Sequence, residues 1–156
     1  MKINATKMAV GLFILVLIIA ANYARADNGA RISLGKMVAN SHMTSGELSY
    51  EHNGIEAAAL LMGAGNTKKG YQPETWVYSV SHIVRPQWCV MGGCNYYRLG
   101  VSYNDSSVLV GDTNFRLGIG IEWDVVQLEY FHHSSAGIHD PNTGLDGIQL
   151  RFKVPF

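Results

Sequence analysis

Three segments of the chain alternate with a period of two, and in each the face opposite the apolar one carries full charges. Tyr97, Leu99, Val101 and Tyr103 oppose Tyr96, Arg98, Gly100, Ser102 and Asn104. Phe115, Leu117, Ile119 and Ile121 oppose Arg116, Gly118, Gly120 and Glu122, and Ile148, Leu150, Phe152, Val154 and Phe156 oppose Gln149, Arg151, Lys153 and Pro155. Period two marks β-strands, because successive side chains leave opposite faces of the pleat. Arginine, lysine and glutamate at matched positions are costly inside a small dry barrel, but in a polar lumen they can pair with one another and with water. The apolar face is therefore expected to point outward, toward lipid. Segment length agrees, since a tilted strand needs about 9–11 residues to cross a bilayer.

Strands are expected over residues 30–39, 46–52, 55–63, 74–85, 96–104, 114–122, 125–134 and 147–156. An even number lets both termini share one side and lets the sheet close, which removes exposed edges. The expected fold is all-β, an eight-stranded antiparallel transmembrane β-barrel of the bacterial outer membrane. Lys36 interrupts the first strand, because it shares the parity of Ile32, Leu34 and Val38. Trp76, Tyr78, Tyr96, Tyr97, Trp123 and Tyr130 lie near segment ends, which suits interfacial girdles. The ending Phe152-Lys153-Val154-Pro155-Phe156 resembles the terminal strand of outer-membrane proteins, in which a final aromatic serves as the assembly signal.

Export is expected from the N-terminus. Lys2 and Lys7 accompany an apolar run over residues 8–21, and Ala24-Arg25-Ala26 offers the small-x-small pattern of a cleavage site. Residues 1–26 thus read as a cleaved signal peptide and 27–156 as the barrel domain. The run is shorter than the roughly 20 residues a spanning helix needs. Loss of Lys2, Lys7 and Arg25 leaves 9 basic against 12 acidic residues, a formal charge of −3. That balance offers no electrostatic reason to bind nucleic acid.

With both termini periplasmic, 52–55 and 122–124 become short periplasmic turns, the first carrying the Asn53-Gly54 hairpin signal. The longer links 40–45, 64–73, 105–113 and 135–145 face outside. The remaining link, 85–95, holds Cys89 and Cys94 with Gly92-Gly93 between them, and an oxidising periplasm favours a local disulfide. A metal site there would need further ligands.

On the last hairpin, His132, Ser134 and Asp146 fall in step with Leu128, Tyr130, Ile148 and Leu150, so all three are expected on the outer wall near its external end. A serine hydroxyl becomes a useful nucleophile when an imidazole accepts its proton, and a carboxylate fixes that imidazole's tautomer. His132 and Ser134, two residues apart on one strand face, have α-carbons roughly 7 Å apart. Asp146 can reach the other ring nitrogen from the neighbouring strand. Polar groups on a lipid-facing surface are a functional hypothesis by default, although just above the hydrocarbon their penalty falls toward zero. His133 has the opposite parity and is expected in the lumen beside Glu129, while His139 is expected in a solvated loop. A zinc site from His132, His133 and His139 lacks a shared face.

The run His132-His133-Ser134-Ser135-Ala136-Gly137-Ile138, followed by Pro141-Asn142-Thr143-Gly144-Leu145-Asp146, resembles the C-terminal signature of the outer-membrane lipid A 3-O-deacylase family. That signature reads His-x-Ser-Asn-Ala, Pro-Asn-x-Gly and an acidic residue 14 positions after the histidine, the spacing of His132 and Asp146. The resemblance implies an eight-stranded barrel with His132 as general base, Ser134 as nucleophile and Asp146 as orienting acid. Ser135, Ala136, Gly137 and Asn142 would support the oxyanion hole and the loop. The family commonly has glutamate at the Asp146 position and asparagine at the Ser135 position. The implied reaction is hydrolysis of the ester joining a 3-hydroxyacyl chain to the 3-position of the lipid A glucosamine, without metal or organic cofactor. Lipopolysaccharide and outer-membrane lipid are the expected partners, and a homodimer is left open. A non-catalytic structural or adhesive barrel and an esterase of phospholipids are the alternatives.

Overall fold

The computed structural model describes residues 27–86, 88–105, 107–138, 140 and 142–154. The expected leader, His139 and the terminal Phe156 lie outside the described residues. Eleven strands follow in chain order: β1 (Gly29–Ala39), β2 (Thr44–His52), β3 (Ile55–Met62), β4 (Gly65–Thr67), β5 (Gly70–Gln72), β6 (Thr75–Val84), β7 (Cys89–Val90), β8 (Gly93–Asn104), β9 (Thr113–Glu122), β10 (Val126–Ser134) and β11 (Leu145–Val154). Eight of them are long. Each long strand pairs antiparallel with the next, and β11 returns to β1, so the sheet closes as an up-and-down barrel. The short β4–β5 hairpin folds back from the link after β3, a region expected only as one of the long outward-facing links.

Closure puts the charges inside. Arg31, Arg98, Arg116 and Arg151 are fully buried, and Glu47, Glu51, Glu56 and Glu129 are buried with them. Arg85 grips Glu51 through two parallel bonds of 2.6 and 2.8 Å and reaches Glu122 at 2.7 Å. Glu47 accepts Arg98 at 3.1 Å and Arg116 at 2.5 Å, and Glu56 pairs with both Arg98 and Arg151. Such pairing is what makes buried charge tolerable. Ile32, Leu34, Leu48, Val80, Ile119, Leu150 and Phe152 point outward and are exposed, as a lipid-facing wall requires.

Two corrections concern the interior. Tyr96, expected in an interfacial girdle, is fully buried and its hydroxyl donates to Glu129 at 2.8 Å, because it shares the parity of Arg98. The lumen is also not polar throughout. Met37, Met43, Leu60, Met62, Val77, Phe131 and Leu145, joined by Leu109 and Val110 from the link after β8, form an apolar plug inside the barrel.

The turn between β2 and β3 has positive φ at both Asn53 (52°) and Gly54 (78°), the type I′ geometry that Asn-Gly favours. Cys89 and Cys94 are disulfide-bonded across the β7–β8 hairpin. Strand β1 is regular up to a bulge between Met37 and Ala39, and Lys36 is exposed on its outer face.

Candidate active site

The register of β10 against β11 sets His132 directly opposite Asp146. Both side chains leave the outer face, and His132 Nδ1 lies 2.7 Å from Asp146 Oδ1. The carboxylate can only accept, so Nδ1 carries the proton and Nε2 is left as the basic nitrogen. The imidazole is 33% exposed and the carboxylate 13%. Asp146 Oδ1 also accepts the Tyr130 hydroxyl at 2.5 Å. Tyr130 was expected only as a girdle aromatic. Its place two residues before His132 on the same face is the signal that could have found it.

Ser134 also lies on the outer wall, but its hydroxyl is not turned to His132. It donates to Asn142 Oδ1 at 3.1 Å and accepts the Ala136 N–H at 3.2 Å. The same Asn142 oxygen accepts the Ser135 N–H at 3.0 Å, so one side chain ties the end of β10 to the return loop. Ser135 is fully buried. Ala136 (φ 50°) and Gly137 (φ 79°) form a tight turn directly after the hydroxyl.

The return loop is held from two sides. Thr143 donates its N–H and its hydroxyl to Leu109 O at 2.9 and 2.8 Å, and its own carbonyl accepts Asn40 Nδ2 at 2.8 Å. These bonds place Asn142 over Ser134. Gly144, at φ 80°, then brings the backbone against the histidine, where a β-carbon would stand 2.9 Å from His132 Cε1 and 3.2 Å from Asp146 Oδ2. Gly144→Ala should therefore reduce ester hydrolysis about 10- to 100-fold through displacement of the imidazole, with the barrel still folded. Steady-state rates beside a heat-modifiability gel check this, and unchanged rates would mean that the ring tolerates the methyl.

His133 takes the opposite face, as its parity requires. It is buried in the lumen with Nδ1 2.8 Å from Ser102 Oγ. Among the described residues no cluster of His, Cys, Asp and Glu is placed to hold a metal ion.

Among solved structures, the chain is similar to that of the outer membrane enzyme PagL, with a TM-score of 0.58 at 16% sequence identity, covering 81% of this chain and 99% of that one. At that identity the likeness speaks for the fold. Comparison with curated protein sequences gives no match. The model of the family described as lipid A 3-O-deacylase (PagL) matches residues 39–155, a span that takes in seven of the eight long strands and the whole of the last hairpin. The chain is a member of the lipid A 3-O-deacylase family.

Proposed function

We propose that this outer-membrane barrel hydrolyses the 3-O-linked 3-hydroxyacyl ester of lipid A in the outer leaflet, with Ser134 as nucleophile, His132 as general base and Asp146 as orienting acid. Residues 1–26 act as its export signal and 27–156 as the catalytic barrel. The observation that carries the catalytic assignment is the His132–Asp146 pair, closed at 2.7 Å on a wall otherwise built for lipid. Such a site has no need of a deep pocket, because the acyl chain can lie along the barrel.

In the reaction the Ser134 hydroxyl leaves Asn142 and turns to His132 Nε2. The imidazole takes the proton as the oxygen attacks the ester carbonyl, and Asp146 stabilises the imidazolium. Tyr130 holds the same carboxylate oxygen and limits its rotation. The tetrahedral oxyanion forms beside the amides of Ala136 and Gly137, while Asn142 and Ser135 fix the turn that presents them. His132 then returns its proton to the glucosamine oxygen as the C–O bond breaks. Water activated by the same imidazole cleaves the acyl-enzyme, leaving a free 3-hydroxyl on the sugar and a 3-hydroxy fatty acid.

Incubation of the purified barrel with lipid A in detergent should release a 3-hydroxy fatty acid, read by mass spectrometry. Release of unsubstituted fatty acid from phospholipid instead would favour the phospholipid esterase. No release from either would favour a non-catalytic barrel.

A further inference from the structure

We propose that the outer end of β1 and the β4–β5 hairpin leaning on it form a phosphate subsite, in which Lys36, Lys68 and Lys69 hold the phosphorylated glucosamine of the substrate. This rests on the lipid A reading above. It deepens that reading by naming what orients the sugar.

The chain has 12 lysines and arginines, three of them within residues 1–26. Of the other nine, Arg31, Arg85, Arg98, Arg116 and Arg151 are ion-paired in the lumen, and Lys153 pairs with Asp27. The three that remain have no side-chain partner among the described residues. They are not scattered.

Lys36 stands on the outer wall, directly across from Ile148 on β11 and Thr44 on β2. Asp146 is two residues before Ile148 on the same outer face of β11, and it pairs with Ala39 across the bulge that follows Met37. Lys68 and Lys69 occupy the tip between β4 and β5. That hairpin is fastened to the link just past β1, since the Lys68 N–H donates to Asn40 O at 3.1 Å and Ser41 bridges Thr67. Asn40 in turn donates to the carbonyl of Thr143, the residue after the Asn142 that holds Ser134. The tip that carries Lys68 and Lys69, the residues just past β1 and the catalytic hairpin are therefore joined by one chain of hydrogen bonds.

An unpaired ammonium on a lipid-facing wall is costly unless its stem carries it to the headgroups or an anion meets it there. The anions at that depth are the phosphates of the lipid A disaccharide. On the ring that bears both a phosphate and the 3-ester, the two groups are separated by only a few bonds. A phosphate on Lys36 would set that ester close to Asp146 on the adjacent β11 and to His132 on β10 beyond it. Phosphate contacts of this kind fix position more than they assist the chemistry, so they should appear in KM.

The test compares bisphosphorylated lipid A with the same lipid after enzymatic removal of its phosphates, in neutral detergent micelles. For the wild-type barrel, KM should be lower on the phosphorylated form. Lys36→Gln should raise that KM about tenfold with kcat nearly unchanged, and should not alter hydrolysis of the dephosphorylated form. Lys68→Gln with Lys69→Gln should act in the same direction, more weakly, and Lys36→Arg should retain most of the binding. Excess phosphatidylglycerol should inhibit only feebly; inhibition at the substrate's own concentration would assign the lysines to any lipid phosphate and overturn the proposal. Equal losses on both substrates, or a wild-type protein indifferent to the phosphates, would overturn it and leave the deacylase reading standing. A folded wild-type protein that releases no fatty acid from either substrate would remove the deacylase reading, and the subsite with it.

Discussion

Replacing His132 by alanine is expected to lower the rate of 3-O-deacylation by at least about 10³-fold, because among the described residues no other base lies beside Ser134 on this wall. Nδ1 is committed to Asp146 at 2.7 Å, which leaves Nε2 as the basic nitrogen of the ring. His133 cannot substitute, since it is buried on the lumen side. Asp146→Ala should be milder and leave measurable activity, because an orienting carboxylate contributes less than the base it orients. Both residues face outward at the end of β10 and the start of β11, so neither change opens the barrel. Initial rates of 3-hydroxy fatty acid release, with folding checked by heat-modifiable migration, give the comparison. An Asp146→Ala protein slower than His132→Ala would mean that the carboxylate does more than orient.

The second large effect concerns stability. Glu47 is buried in the lumen, where it accepts Arg98 at 3.1 Å and Arg116 at 2.5 Å. Removing it takes a counter-charge from three buried guanidinium groups, since Arg151 also lies 3.7 Å away, and breaking a buried pair in this way costs about 3–5 kcal/mol. Glu47→Ala should therefore unfold at distinctly lower urea concentration in detergent than the wild type. Glu47→Leu should not rescue it, because the arginines remain. A lumen that simply admits water in place of the carboxylate would show a shift below about 1 kcal/mol.

Most of the barrel is legible in the sequence because its rule is local. Any stretch such as Phe115 to Ile121 announces both its strand and its faces, and the observed bounds fall within about two or three residues of those expected. Tyr96 shows the limit. Its nearness to a strand end suggested the membrane interface, yet parity, the stronger constraint, puts it in the lumen. The apolar plug was hidden for another reason. Leu109 and Val110 belong to a link without any period, and they join the cluster of Met43 and Phe131 where Asn40, Leu109 and Thr143 tie three links together. The β4–β5 hairpin is hidden likewise.

The site divides the same way. Parity and the pairing of two consecutive strands place His132 opposite Asp146, so that contact is predictable from the residues alone. Where Ser134 points is a choice of rotamer, settled by Asn142 eight residues later, and alternation carries no information about it. Tyr130 fell on the right face but was read by its residue type instead of its neighbours. Lys36 broke the apolar pattern of β1, and that break is a property of the wall and not a fault in the strand.

If Ser134 removes one particular acyl chain from lipid A, lipid A itself records the loss. Cells producing the wild-type protein and cells producing equal amounts of folded Ser134→Ala protein in the outer membrane are compared by mass spectrometry of extracted lipid A. The wild-type sample should lose the mass of one 3-hydroxyacyl group at the 3-position, and the Ser134→Ala sample should retain it in full. Loss of that chain at the wild-type level from cells carrying folded Ser134→Ala protein would contradict the mechanism.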